Sequence, residues 1–397
     1  MNAAPPPTAA PRQYFLDWLR ILVFALLVPY HVGMYYVSWD WHVKSPQPHP
    51  GLEIFMQLSS PWRLGLLFFI AGAASHFLLR RGGGFVRSRS KRLLLPLLFG
   101  VLVVVPPQAY FEVVTKLNYG GSYLEFMSLY LQAYQGFCRG SDCLILPTWN
   151  HLWFLPYLWV YSLVGWALLR LWPALSGLCS SALDKHGSAT TLLLGLALPL
   201  VAARALVAWF PTTHNLVWDW YSHAQYLGLF LLGLLLAQSR LWELAQRHRR
   251  TALGLAALSW ALVMLYFQHY QDLAPPPALR WAQRGLYGLM QWWSLVAACG
   301  YARQWLNVDH RWRATLNQAV FCVYILHQTV IILLTRLLLP LGLPSAAEGL
   351  LLIALTFGLC GLGYGLARRV PGLRLLLGIP AGAPVSMPGK ARTMLLQ

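Results

Sequence analysis

Apolar runs of about 20 residues recur along this whole chain, and a run of that length is what one α-helix needs to cross the ~30 Å hydrocarbon core of a bilayer. Ten can be drawn, over residues 15–37, 54–79, 93–114, 149–171, 190–210, 222–239, 251–270, 281–304, 317–339 and 347–368. Short helix-breaking segments separate them, such as Lys44-Ser45-Pro46-Gln47-Pro48-His49-Pro50-Gly51 and Ala274-Pro275-Pro276-Pro277. Of the 397 residues, 57% are hydrophobic and only 11% charged, so the solvent for most of this surface must be lipid. The expected fold is all-α: a polytopic membrane protein of about ten transmembrane helices. With no fixed-period repeat, low-complexity tract or appended soluble domain, residues 14–369 read as one membrane domain. It lies between an N-terminal tail, 1–13, and a basic C-terminal tail, 370–397.

The formal charge of +18 follows the loops alternately. Arg12 precedes the first span. Arg80, Arg81, Arg87, Arg89, Lys91 and Arg92 follow the second, and Arg240, Arg247, Arg249 and Arg250 the sixth. Arg303, Arg311 and Arg313 follow the eighth, and Arg368, Arg369, Arg374, Lys390 and Arg392 the tenth, while the alternate loops are sparse in cations, with Lys44, Lys116, Arg139 and Arg280. The positive-inside rule then places both termini and both tails in the cytoplasm. Basicity distributed in this way is topological, and no nucleic-acid partner is expected. Met1-Asn2-Ala3-Ala4-Pro5-Pro6-Pro7 lacks a basic leader region and the first apolar run is of full span length, which argues against a cleaved signal peptide. Cys138 and Cys143 fall in an outward loop, where a disulfide and two free thiols are equally open. Cys179, Cys299, Cys322 and Cys360 stand singly and read as packing residues.

Ionisable groups inside spans carry the functional information, because each costs several kcal/mol in lipid unless it is paired or faces water. Span one holds Asp17, Arg20 and His31. Eleven positions separate Arg20 from His31, which puts both on one stripe about 16 Å apart, with Asp17 one turn from Arg20 and able to pair with it. Pro29 stands two residues before His31. A plainer reading has Arg20 snorkelling to the interface and His31 making one interhelical hydrogen bond. Arg63 sits inside span two and needs an anion or water. Arg89 and Arg92 share a helix face and suit phosphate, although each is also an ordinary positive-inside anchor. His151 opens span four within Trp149-Asn150-His151-Leu152-Trp153-Phe154-Leu155, and Tyr324 and His327 lie one turn apart in span nine. A lone buried histidine is usually structural; three on separate spans are harder to dismiss. There is no HExxH, paired CxxC, Walker or dinucleotide glycine pattern and no Gly-x-Ser-x-Gly elbow, so no metal is predicted. Acidic residues are too few to supply a carboxylate pathway.

Tyr14-Phe15-Leu16-Asp17-Trp18-Leu19-Arg20, ten residues and His31 resemble the Arg-x10-His signature of the acyltransferase-3 family. So do Phe68-Phe69-Ile70-Ala71-Gly72, Arg89-x-x-Arg92 before Pro96, His151-Leu152-Trp153-Phe154-Leu155 and Tyr324-Ile325-Leu326-His327, in the family's order and across nearly the full chain. His31-Val32-Gly33-Met34-Tyr35-Tyr36, Trp41-His42-Val43-Lys44-Ser45 and Arg63 before Phe68-Phe69 are most similar to its glucans biosynthesis protein C group of periplasmic glucan succinyltransferases. Two features depart from the family. Pro156-Tyr157-Leu158-Trp159 stands where many members have an acidic residue, and the optional outer esterase-like domain is missing.

The resemblance implies a multi-pass enzyme of the bacterial inner membrane. Its donor would be cytoplasmic acyl-CoA, succinyl-CoA favoured and acetyl transfer the alternative, and its acceptor an outward-facing carbohydrate such as a periplasmic glucan. His31 would be the base or the site of a covalent acyl-imidazole, and both remain open. Arg20 and Asp17 would complete the catalytic stripe. Arg20, Arg89 and Arg92 would hold the CoA phosphates, and Arg63 the free carboxylate of a succinyl group. His151, Trp153, Tyr324 and His327 would contact substrate. The rival reading is a transporter or flippase for an anionic or lipid-linked sugar, in which the same groups bind cargo and no bond is made. A third is a structural or sensory membrane partner; assembly into a homo-oligomer is left open.

Overall fold

The computed structural model describes residues 12–81 and 83–380. The tail expected over 1–13 lies almost wholly outside the described residues, as do Lys390 and Arg392 of the C-terminal tail. Every expected span is met by helix. The first is α1 (Tyr14–Tyr36). A short turn joins α2 (Leu52–Met56) to α3 (Ser60–Leu79) in the second. In the third, α4 (Phe85–Phe99) passes through a π-helical turn, Gly100–Val104, into α5 (Pro106–Leu117). Then come α6 (Tyr123–Leu131) and a hairpin of β1 (Cys138–Arg139) with β2 (Asp142–Cys143), in which Cys138 and Cys143 are disulfide-bonded. A 3-10 turn, Asn150–Trp153, opens α7 (Phe154–Leu171), and α8 (Leu175–His186) follows. The fifth span is built from α9 (Ala189–Leu193) and α10 (Leu198–Leu206). The remainder are α11 (Trp220–Leu236), α12 (Leu241–Arg247), α13 (Arg249–His269), α14 (Pro277–Trp305), α15 (Arg313–Leu338), α16 (Ser345–Arg369) and α17 (Pro371–Leu376).

Among the described residues, eight helices or helix runs are long and apolar enough to cross a bilayer, and nine if α11 and α12, bent by 105°, form one span. Ten were expected, and the difference is α14. At 29 residues it is long enough, but Gln291, Trp292 and Trp293 lower its apolar character at mid-helix. All three are buried, and the two indoles donate to the Leu192 and Leu193 carbonyls at 2.7 and 2.8 Å. A helix enclosed by other helices has no need of a lipid-like surface. The outer helices show the converse: Leu350 and Leu362 on α16 are more than 70% exposed, an apolar surface that suits lipid. The chain is an all-α, multi-pass membrane protein.

Two contacts set the frame of the site. Where α3 crosses α11, a Cβ on Gly72 would collide with the Phe230 carbonyl and one on Gly233 with the Phe69 carbonyl, so reciprocal glycines let the two backbones touch. The other contact is between α1 and α15. Asp17 pairs with Arg313, and His31 with His327, both at the same sequence offset of 296. The two helices are therefore parallel and in register along the stripe.

Candidate active site

At one end of α1, charge is concentrated on three helices. Asp17 accepts from Arg313 and from Arg12, the latter at 3.1 Å, and its other oxygen accepts from Asn317 at 3.2 Å. Arg20 lies farther from it, at 3.9 Å, and donates to Asn317 instead. The expected Asp17–Arg20 pair is thus present but secondary: the carboxylate mainly serves Arg313, a residue from the start of α15. Arg89 donates from Nε to the Ser162 hydroxyl at 2.9 Å, and Arg92 lies within electrostatic reach of both Arg20 and Arg89. Three guanidinium groups converge here, and the nearest carboxylate is already engaged elsewhere.

His31 stands three turns along the stripe, in the wall of a cavity of about 630 Å³. Its Nδ1 is 2.8 Å from His327 Nε2, and His327 Nδ1 is 2.7 Å from the Tyr324 carbonyl. A carbonyl only accepts, so His327 carries its proton on Nδ1. With both rings neutral, Nε2 of His327 accepts from His31 Nδ1–H. The hydrogen-bond directions therefore assign the lone pair of His31 to Nε2, the atom left for the cavity.

Behind this pair the wall is tied together by polar side chains. The His151 Nε2–H donates to the Ile325 carbonyl at 3.1 Å, and Tyr324 donates to the His151 carbonyl at 2.6 Å. Gln108 accepts from Asn150 and Gln328 and donates to Thr329 at 2.6 Å. Thr329 in turn donates at 2.6 Å to the Val104 carbonyl, at the end of the π-helical turn. Gln328 reaches His42, and the His42 Nδ1–H donates to Glu112 at 2.5 Å, with Lys116 on the carboxylate's other oxygen at 2.9 Å. Lys44 donates to the carbonyls of Met34, Val37 and Trp39 where α1 ends, tying the connecting loop to the end of the helix.

Trp153 stacks on His214, ring centres 4.1 Å apart, and both line the cavity. His214 is brought there by Asp219, which accepts from the Thr213 and His214 amides and, at 2.7 Å, from the Tyr157 hydroxyl. Burial raises the pKa of Asp219, but hydrogen bonds from Tyr157 and the two amides outweigh it and hold the carboxyl below its usual range. So although span four has no acidic residue after its tryptophan motif, Tyr157 meets a carboxylate from the start of α11. Arg63, 3% exposed, lies over the Tyr30 ring at 3.6 Å, donates to Ser59 at 2.9 Å and also lines the cavity.

A family model described as an acyltransferase domain matches residues 13–365. The chain belongs to the acyltransferase-3 family. It is also similar to the glucans biosynthesis protein C of Escherichia coli SMS-3-5, 33% identical over 104 residues, and to that of Escherichia coli O1:K1, 32% identical over 104 residues. Each alignment covers 26% of this chain and 27% of the relative, so the chain spans about a quarter of the length of the curated relatives it matches. No solved structure matches it.

The acyltransferase-3 residues expected from sequence thus form two groups, one at each end of the α1–α15 stripe and drawn also from α3, α4 and the turn before α7. His31, His327, His151, Tyr324, Trp153 and Arg63 gather at and behind the cavity. Arg20, Asp17, Arg89 and Arg92 gather at the other end, so Arg20 and Asp17 do not reach the His31 ring. Arg204, His42, Glu112, Gln108, Gln328 and Asp219 are site residues that sequence reasoning misses. Arg204 and Glu112 carried a usable signal, since each is ionisable and lies inside an expected span.

Proposed function

We propose that this acyltransferase moves an acyl group from acyl-CoA to a hydroxyl of a periplasmic glucan or other envelope carbohydrate, in the bacterial inner membrane with both termini cytoplasmic. Succinyl is the favoured group and acetyl the alternative. The observation that carries this reading is the His31–His327 pair, which turns a bare imidazole Nε2 toward a cavity lined by Trp153, Tyr226 and His214, surfaces on which a sugar ring can stack. The name of the curated relatives supports a glucan acceptor.

Nε2 of His31 takes the acceptor hydroxyl proton as its oxygen attacks the thioester carbonyl. The tetrahedral intermediate collapses with cleavage of the C–S bond, and the proton passes to the departing CoA thiolate. An ester and free thiol result, so atoms and charge balance. The same lone pair would serve a covalent acyl-imidazole route. Arg20, Arg89 and Arg92 fit the phosphates of the donor, being three clustered cations with little carboxylate between them. Arg63, beside Tyr30 and hence next to His31, is placed to meet the free carboxylate of a succinyl group.

Mass spectrometry of envelope glucans from cells carrying wild type or His31→Ala tests the assignment. Acyl substituents should disappear with His31→Ala; unchanged substitution removes His31 from the chemistry. Purified protein that moves a sugar across a vesicle membrane without consuming acyl-CoA would instead establish the transporter.

A further inference from the structure

The cavity holds a second arginine that acyl transfer as described does not use. Arg204, on α10, lies with its guanidinium 4.0 Å over the Tyr287 ring and donates to the Tyr221 hydroxyl at 2.5 Å. Its buried Nε has no acceptor among the described residues, and the same is true of Arg63. The carboxylate in the cavity wall, Asp40, is taken by Lys116 at 2.9 and 3.1 Å. Two cations therefore line one cavity with no unpaired acid in its wall among the described residues, and a cation inside a membrane domain must be paired or face water.

The position of Arg204 is built. At Gly288 of α14 an added Cβ would lie 2.9 Å from the Val201 Cα, so the glycine lets α10 lie directly on α14. This brings Arg204 over Tyr287, the residue before Gly288. One guanidinium face is spent on the tyrosine and one N–H on a hydroxyl, which leaves its remaining N–H groups without an acceptor among the described residues, donors of the kind that suit carboxylate or phosphate. Arg63 stands by His31, where the acyl chain is delivered. The contacts of Arg204 are to α11 and α14 instead.

We infer that Arg204 and Tyr221 form an anion subsite in the outer cavity, taking a carboxylate or phosphate carried by the carbohydrate acceptor. This rests on the proposed acyl transfer, with the acceptor entering this cavity. An oxyanion there has two conceivable sources, the acceptor or the end of the acyl chain, and the experiment separates them.

Full-length protein in lipid nanodiscs is assayed with acetyl-CoA and succinyl-CoA against a neutral β-glucan oligosaccharide and the same oligosaccharide bearing one phosphate or carboxylate. The expected result is a kcat/KM higher by about tenfold or more for the anionic acceptor, with either donor, as one charge-assisted contact provides. That preference should collapse in Arg204→Gln and partly return in Arg204→Lys, which retains the charge and checks that the fold survives. An unchanged acceptor ratio in Arg204→Gln overturns the subsite. So does a change confined to the succinyl-to-acetyl ratio, which reassigns Arg204 to the acyl chain. If the wild type transfers to neither acceptor, the functional reading fails, and direct binding of the two oligosaccharides to wild type and Arg204→Gln still decides: equal binding rejects the subsite, and selective binding lost in the variant upholds it.

Discussion

His31 Nδ1 lies 2.8 Å from His327 Nε2, and that contact decides which nitrogen of His31 carries the lone pair. Replacing His31 with Ala should lower kcat by about 10²–10⁴-fold, the usual contribution of a positioned base. His327→Ala frees the His31 ring and its tautomer and should lower kcat by less, with KM for acyl-CoA little changed. Steady-state kinetics on purified protein checks both; a His327→Ala enzyme with wild-type kcat would show that the pairing is structural only.

The guanidinium cluster predicts a different kinetic signature. Arg89→Gln and Arg92→Gln should raise KM for acyl-CoA several-fold or more, the loss expected for a phosphate contact, and leave KM for the acceptor unaffected. Equal rises in both would place the donor phosphates elsewhere.

Arg63 bears on the choice of acyl group. Arg63→Ala should impair succinyl transfer more than acetyl transfer, because only succinyl brings a free carboxylate. Parallel assays with the two donors report the ratio, and equal loss rules the role out.

Asp219 predicts a pH dependence. A carboxyl held below its ordinary value of 3.8 contributes stability that is present above that value and lost as pH falls through the lowered one. Asp219→Asn should therefore lower the melting temperature at neutral pH, and its deficit relative to wild type should shrink only below about pH 4. A deficit constant down to pH 3 would mean the loop is held by packing rather than by charge.

The glycine crossing predicts a stability loss with no titration. In Gly72→Ala the new methyl meets a backbone carbonyl that cannot swing aside, and the variant should be destabilised by about 1–3 kcal/mol. Thermal unfolding in detergent measures it; an unchanged midpoint would require α3 and α11 to separate freely.

The spans were legible because lipid imposes a length and an apolarity that can be read residue by residue; α14 escaped that rule because protein, not lipid, surrounds it. His31 and His327 were visible as ionisable groups where none is tolerated cheaply. Their pairing was not, since it depends on helices 296 positions apart running in register. The same distance hid Arg313 as the partner of Asp17. Asp219 gave no sign at all, because it lies just before an apolar run, where an aspartate is unremarkable in sequence. Only the return of the 212–219 loop over Trp153 gives it a role.

The register of α1 with α15 makes the pair a measuring rod. Asp17–Arg313 and His31–His327 are both fixed, and the interval between them is about 21 Å of helix, so neither end can slide by a turn without breaking the other. If the donor is gripped at the arginine end, its thioester has to be carried nearly the length of that rod to reach Nε2. Reach, as well as the acyl group, then becomes a criterion for a donor: a short thioester lacking the nucleotide would arrive at the base unanchored.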